Sequence, residues 1–156
     1  MKTHIFGSSR AVGAIGEQQV KAHLESNGCE VLQLTIEEEK YWGADFIVIT
    51  PNLAQSYLLE VKTEPRAEQT GNFFFETSVG DKPGWCLKYK DKGHVVICHV
   101  LPISREFIVY PAYRLQELEA RLDDFYERKV KNTNYFAVGR LVPVEIYKTF
   151  AKVVKF

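Results

Sequence analysis

The 156-residue sequence lacks the features of a membrane or secreted protein. It has no run of about 18 apolar residues, so no transmembrane helix is predicted. Residues 1–6 lack the long apolar stretch of a signal peptide. The three cysteines are widely spaced, and no zinc-site spacing occurs among them. We therefore expect reduced, mostly buried thiols in a cytoplasmic protein that has no membrane partner.

Two common signatures of enzyme sites are also missing. No glycine-rich phosphate loop follows a predicted strand, and no Ser-His-Asp order is recognisable. The formal net charge is zero, which by itself argues weakly against a nucleic-acid partner. The charge is unevenly distributed, however, because residues 129–156 carry six lysine or arginine residues and one acidic residue, Glu145. Such a segment can offer a basic surface to phosphates, although a solvated surface explains it at least as well.

Hydrophobic periodicity predicts alternating helices and strands within one domain that spans residues 1–156. Helices are predicted over 11–27, 85–92 and 111–128, and strands over 30–36, 44–50, 56–63, 72–78, 94–100 and 106–110. Residues 37–44 and 64–71 are predicted to be polar connections. This order indicates an α/β (α+β) fold in which a central mixed sheet is flanked by helices. We expect a core over about 12–110, followed by a C-terminal helix and a basic tail over 111–156.

Asp45, Glu60 and Lys62 carry the strongest functional signal. Asp45 precedes one predicted strand, and Glu60 and Lys62 project from one face of the next, because residues i and i+2 of a strand share a face. The turn residues Pro51-Asn52 favour a hairpin that brings Asp45 near Glu60. Two carboxylates and an ammonium at one end of a sheet suit a hard divalent cation and a phosphate. The alternative for Glu60 and Lys62 is a solvated ion pair on the sheet surface.

The pattern of these residues resembles a known nuclease superfamily. A helix that carries Glu17, followed by strands that carry Asp45 and the motif Glu60-Val61-Lys62, is similar to the PD-(D/E)XK nucleases, which include restriction-endonuclease-like and Holliday junction resolvase-like enzymes. The resemblance covers about residues 12–78. Ala44 stands before the aspartate, where the superfamily pattern often has proline.

The resemblance implies a restriction-endonuclease-like core and a DNA endonuclease that uses Mg²⁺, with Mn²⁺ as an alternative. It assigns the metal to Asp45, Glu60 and the backbone carbonyl of Val61. Lys62, whose ammonium cannot bind a metal, would contact the scissile phosphate or the attacking water. Glu17 would complete the acidic cluster, although it is equally an ordinary helix-surface glutamate. The preference for DNA over RNA follows from the resemblance alone.

More distant residues are candidates for substrate binding. They are Thr63, Gln69, Lys88, Arg140, Lys148 and Lys152. Each has a structural alternative, because Thr63 is also an ordinary strand residue, Gln69 can cap a loop, and the lysines can merely face water. His94 and His99 lie in an apolar strand, where packed or surface histidines are more common than general bases.

A chain of this size has room for one active site only. Cleavage of both strands of a duplex, or of a junction, calls for two active sites, so we expect a homodimer or a higher homo-oligomer. Two other functions fit the same sequence. One is a nuclease fold that has lost activity and still binds DNA, and the other is a protein-interaction domain that uses the aromatic and basic surfaces.

Overall fold

The structure is a computed structural model that describes residues 6–156. Its helices are α1 (Phe6–Ser26), α2 (Ile36–Trp42), α3 (Pro65–Thr70), α4 (Trp85–Tyr89), α5 (Leu115–Glu119) and α6 (Val144–Lys148). Its strands are β1 (Glu30–Gln33), β2 (Phe46–Ile49), β3 (Ser56–Thr63), β4 (Asn72–Val79), β5 (Lys82–Pro83), β6 (Val95–Leu101), β7 (Glu106–Pro111), β8 (Tyr126–Lys131), β9 (Phe136–Pro143) and β10 (Lys152–Lys155). No helix within residues 6–156 is long and apolar enough to cross a membrane.

The strands form two sheets. The larger sheet has the order β1-β2-β3-β6-β7-β10, and the smaller has the order β5-β4-β9-β8. In the larger sheet β3 and β6 run parallel, and every other neighbouring pair is antiparallel. The larger sheet is therefore mixed, as the sequence predicts. It is the central layer of the fold.

The two faces of the larger sheet are covered by different elements. On one face, Val20 of α1 packs in a cluster with Leu59 and Val61 of β3. On the other face, Phe73 and Phe75 of the smaller sheet pack in a second cluster, which also includes residues of α4, α5 and α6. Since side chains alternate along a strand, β3 sends residues 59, 61 and 63 toward α1 and residues 58, 60, 62 and 64 toward the smaller sheet.

Two glycines, Gly16 within α1 and Gly28 just after it, explain how the helix lies on the sheet. A Cβ at Gly16 would collide with the Thr63 hydroxyl, so glycine lets the helix approach β3 closely. Gly28 follows the helix with φ +84°, a left-handed conformation that glycine adopts at little cost. The predicted helix over 11–27 is thus confirmed, with an earlier start.

Three of the sequence predictions for secondary structure are wrong. Within residues 111–128 only Leu115–Glu119 is α-helical, and the segment from Tyr126 onward forms β8, which pairs with β9. The apolar spacing of this segment resembles a helix, but the antiparallel pairing of β8 with β9, the next strand along the chain, overrides that local preference. The two predicted connections contain α2 and α3. Thr35 and Glu38 form a capping box at the start of α2, a signal that the sequence already contained.

Candidate active site

Asp45 is held at the mouth of the β2–β3 hairpin. Its Oδ2 accepts a hydrogen bond of 2.7 Å from the backbone N–H of Val61. Its own backbone N–H donates to the carbonyl of Leu59 at 2.9 Å. Asp45 and Glu60 line the same cavity of about 210 Å³. The hairpin therefore brings the two carboxylates together, as the sequence predicts.

Glu60 and Lys62 form an enclosed ion pair on one face of β3. The Lys62 Nζ lies 2.7 Å from the Glu60 Oε1. Glu60 is only 8% exposed, which does not fit the alternative of a solvated surface pair. The buried carboxylate and the half-buried ammonium therefore face the space between the larger sheet and α4.

The electrostatics of the cluster favour its neutralisation. Burial, together with repulsion from Glu60 and Glu17, raises the pKa of Asp45 to about 7, although the Val61 N–H and Lys62 partly oppose this. Burial by itself lowers the pKa of Lys62, but the charge and the hydrogen bond of Glu60 outweigh it, and the net shift is upward. Lys62 is thus cationic at neutral pH, while Asp45 is close to half-protonated. A strongly perturbed carboxyl beside a lysine in a cleft is typical of a functional site.

Glu17 joins this cluster from α1. Its half-buried side chain follows Gly16, which contacts Thr63 at the end of β3. Burial raises the pKa of Glu17, and repulsion from Glu39 and Glu60 raises it further. Glu17 is therefore within electrostatic reach of Glu60 and of Asp45.

The sequence analysis missed Tyr89 and Glu39. Tyr89 of α4 hydrogen-bonds to Glu60, and burial beside this carboxylate raises the pKa of the phenol. Tyr89 and Glu39 both line the cavity that holds Asp45. Trp85, one helical turn before Tyr89, lies with its ring centroid 5.4 Å from the Lys62 Nζ. Trp85 and Tyr89 are four residues apart, which places both on one face of a helix. This spacing is the sequence signal that could have predicted that α4 packs over Glu60 and Lys62.

The backbone of Val61 also faces the cluster. The N–H groups of Leu58 and Glu64 donate to carbonyls of β6 or of the residue just before it. In a parallel ladder every second residue bonds to the same neighbouring strand, so the even-numbered residues from 58 to 64 bond toward β6. Val61 is odd-numbered and therefore directs its N–H and C=O to the other side of β3, where β2 lies. Asp45 takes the N–H. The Val61 carbonyl therefore lies on the edge that Asp45 occupies.

The outlying candidates for substrate binding are not gathered at this cluster. The hydroxyl of Thr63 is buried against α1 and has no hydrogen-bond partner among the residues described. Gln69 and Lys88 are exposed on α3 and α4. Their proposed contacts with a substrate stay predictions.

Two cations of the predicted basic tail are held by carboxylates of the chain itself. Arg140 lies 3.1 Å from Glu127 and donates to a backbone carbonyl. Lys148 lies 3.4 Å from Glu106. Lys152 is exposed on β10, the edge strand three places from β3. These ion pairs weaken the case for a phosphate-binding tail, although its role stays a prediction.

His99 is a packed histidine, as the sequence predicts. It is completely buried, its Nε2 lies 2.6 Å from the Tyr110 hydroxyl, and its ring stacks on Phe73 with centroids 4.3 Å apart. His94, at the entrance to β6, is exposed.

The donor set determines which metal the cluster could accept. Within residues 6–156, no three His, Cys, Asp or Glu side chains are grouped closely enough to hold a metal ion by themselves. Asp45, Glu60 and the Val61 carbonyl supply hard oxygen donors. Mg²⁺ is usually held by one or two carboxylates with water and substrate oxygens completing its shell, so this limited set fits Mg²⁺ better than a metal that needs a closed protein cage.

Comparisons with known proteins give a distant structural likeness. No family model and no curated protein matches the chain. Among solved structures, it is similar to D212, a nuclease from a fusselovirus, with 12% sequence identity over 94% of this chain and 88% of that chain. The TM-score is 0.45. A likeness at this level describes a neighbour and assigns neither a family nor an activity to this chain.

Proposed function

We propose that this chain is a metal-dependent DNA endonuclease that hydrolyses phosphodiester bonds at Asp45, Glu60 and Lys62. The observation that carries the proposal is the enclosed arrangement of two carboxylates and one ammonium on adjacent strands. The Lys62 Nζ lies 2.7 Å from Glu60, and the pKa of Asp45 is raised to about 7. A merely structural ion pair does not account for the second carboxylate, because its burial beside Glu60 is unfavourable unless a proton or a metal cation neutralises it.

The proposed metal is Mg²⁺ or Mn²⁺, held by Asp45, Glu60 and the Val61 carbonyl. When bound, such an ion polarises a phosphate oxygen and lowers the pKa of a bound water. In this proposal Asp45 gives up its proton as the ion binds, so metal affinity rises with pH. Glu17 adds negative charge to the same site and favours the cation further.

Lys62 serves the substrate rather than the metal in this proposal. Its raised pKa keeps the ammonium charged, and Glu60 fixes its position. A charged donor at this position can stabilise the negative charge that develops on phosphate oxygens as the water oxygen bonds to phosphorus and the bond to the leaving oxygen breaks. Tyr89, which hydrogen-bonds to Glu60, is a positioning residue that holds the carboxylate toward the cavity.

DNA is proposed because of the sequence resemblance to the PD-(D/E)XK superfamily. A homodimer is proposed because cleavage of two strands needs two sites.

One experiment tests the activity directly. Plasmid DNA, single-stranded DNA and a four-way junction are each incubated with the protein in Mg²⁺, Mn²⁺ or EDTA. We expect cleavage of at least one substrate with a divalent cation and none in EDTA. Cleavage that persists in EDTA, or undiminished cleavage by a Glu60→Ala variant, would contradict the proposal.

The two alternatives give different results in the same series. An inactive DNA-binding module binds DNA with an affinity that falls steeply with salt and cleaves nothing. A protein-interaction domain neither cleaves DNA nor binds it in this salt-dependent way.

A further inference from the structure

The edge strand β8 carries cations that the protein does not neutralise. Arg128, Lys129 and Lys131 have no carboxylate within ion-pair distance anywhere in residues 6–156. In contrast, Arg140 of the neighbouring strand is engaged by two acidic side chains. Unpaired cations on an exposed strand are available to an anionic partner.

The two faces of the smaller sheet differ in what they meet. Strand alternation and the register place Phe74 of β4, Gly139 of β9, and Tyr126 and Arg128 of β8 on the same face. We call this the outer face, because the opposite face carries Phe73 and its neighbours, which are buried against the larger sheet. Within residues 6–156, α3 borders the outer face on one side and lines a groove together with it.

A groove of about 310 Å³ lies along the outer face and extends as far as Glu64, near the end of β3. Its lining includes two carboxylates, Glu64 and Glu76, together with Arg66, Phe74, Arg128 and Asn132. Glu64 lies two residues after Lys62 on the same side of β3, about 7 Å along the strand. The groove thus has a cationic end at β8 and an acidic end beside Lys62.

Aromatic rings on the outer face suit stacking with nucleic-acid bases. The Phe74 ring occupies the space above Gly139, where any Cβ would collide with it. Tyr126 is 74% exposed and projects from the same face as Arg128. Surfaces that combine cations for the backbone with aromatic rings for the bases are typical of single-strand binding. In a duplex the bases stack on one another and are not available to such rings.

We propose that the outer face of the smaller sheet binds a single strand of nucleic acid and directs it along the groove to the Lys62 end of the candidate active site. Arg128 contacts the phosphate backbone, Tyr126 and Phe74 stack on bases, and Lys129 and Lys131 add positive potential from the rim. The direction of the strand into the site rests on the proposed nuclease function. The binding surface itself does not.

Binding in EDTA tests this surface without cleavage. The probe is a fluorescein-labelled single-stranded oligodeoxythymidylate, and its anisotropy is followed over a series of salt concentrations. We expect the Arg128→Gln variant to lower the salt slope by about 0.7, since one phosphate contact is lost. The Tyr126→Ser variant should weaken binding about fivefold or more with an unchanged slope, because base stacking is lost.

The matched control is the Lys155→Gln variant, which removes one exposed strand cation from β10. It should retain the wild-type affinity. The proposal is overturned if the Arg128→Gln, Tyr126→Ser double variant folds normally by circular dichroism and binds like the wild type. It is also overturned if the wild type does not bind the probe at low salt, or if it binds a duplex of equal length more tightly than the probe. Binding that depends on Arg128 and Tyr126, in a protein that cleaves no DNA with Mg²⁺ or Mn²⁺, would support the surface and reject the nuclease.

Discussion

The carboxylate of Asp45 accepts a 2.7 Å hydrogen bond from the backbone N–H of Val61, the residue between Glu60 and Lys62. This bond joins the end of one strand to the centre of the motif on the next. It holds Asp45 close to Glu60. Burial is the main cause of the raised pKa of Asp45, repulsion from Glu60 adds to it, and the bond from Val61 partly opposes it.

The raised pKa of Asp45 predicts how stability depends on pH and metal. The folded protein retains the Asp45 proton up to about pH 7, while the unfolded chain loses it near its ordinary value of 3.8. The stability that protonation contributes is therefore full below about pH 4 and is lost as the pH rises through about 7. Glu17, whose pKa is also raised, shifts stability in the same direction.

We expect Asp45→Asn to be more stable than the wild type at pH 8 and closer to it at pH 5, as measured by thermal unfolding. Mg²⁺ should raise the Tm of the wild type at pH 8 because it binds only the folded site. The same addition should leave the Asp45→Asn variant unchanged. An equal Mg²⁺ shift in both proteins would place the metal elsewhere.

Substitution of the three central residues should separate metal binding from catalysis. Asp45→Ala, Glu60→Ala and Lys62→Ala should each reduce cleavage by about 10² or more, the usual effect of removing a group that stabilises transition-state charge. Calorimetric titration with Mg²⁺ should show weaker binding for the two carboxylate variants and not for Lys62→Ala. Lys155→Gln, which removes an exposed lysine of β10, serves as the control for a simple loss of positive charge. A Lys62→Ala protein that cleaves normally would remove this lysine from the site.

Glu17→Gln should lower the cleavage rate without lowering the Tm. Loss of its charge reduces the repulsion on Asp45, so the pH at which activity reaches half its maximum should fall. Glu25→Gln is the matched control, because Glu25 lies on the same helix and pairs only with Lys21 among the ion pairs described. If both variants have the same rate and pH profile as the wild type, Glu17 is an ordinary helix-surface residue.

Because α1 packs closely on β3, substitution by alanine should change the stability in opposite directions at two glycines of the helix. Gly16→Ala should destabilise the protein by about 1–3 kcal/mol, because its Cβ would collide with the Thr63 hydroxyl. Gly13→Ala, where a Cβ meets nothing within 4 Å, should stabilise it by about 0.5–1 kcal/mol. Denaturant unfolding measures both values. The Gly16→Ala, Thr63→Ala pair should recover much of the loss, and failure to do so would mean that the helix backbone itself is displaced.

The sequence was informative wherever a local pattern decided the structure. The apolar run within 56–63 and the loosely alternating run at 72–78 became strands with nearly those bounds. The turn at Pro51-Asn52 closed the β2–β3 hairpin, so the meeting of Asp45 with Glu60 followed from the sequence. These features depend on residues close together in the chain, and side-chain alternation and turn chemistry suffice to predict them.

Other features depended on contacts between distant segments. Residues 126–131 have exposed, mostly polar side chains and form a strand beside β9, which is itself held in the sheet by β4, far earlier in the chain. Tyr89 became part of the site only because α4 packs across β3 and places its hydroxyl on Glu60.

The sequence by itself thus determined which residues form the cluster, namely Asp45, Glu60 and Lys62, and which strands carry them. The tertiary structure decided their environment: how deeply Glu60 is buried, which helix covers Lys62, and which cations remain unpaired. The physical reason is that burial and ion pairing depend on the summed surroundings of a group. Arg140 and Arg128 are alike in the sequence, yet Glu127 and Asp123 neutralise the first, while the second has no carboxylate partner in the described part of the chain.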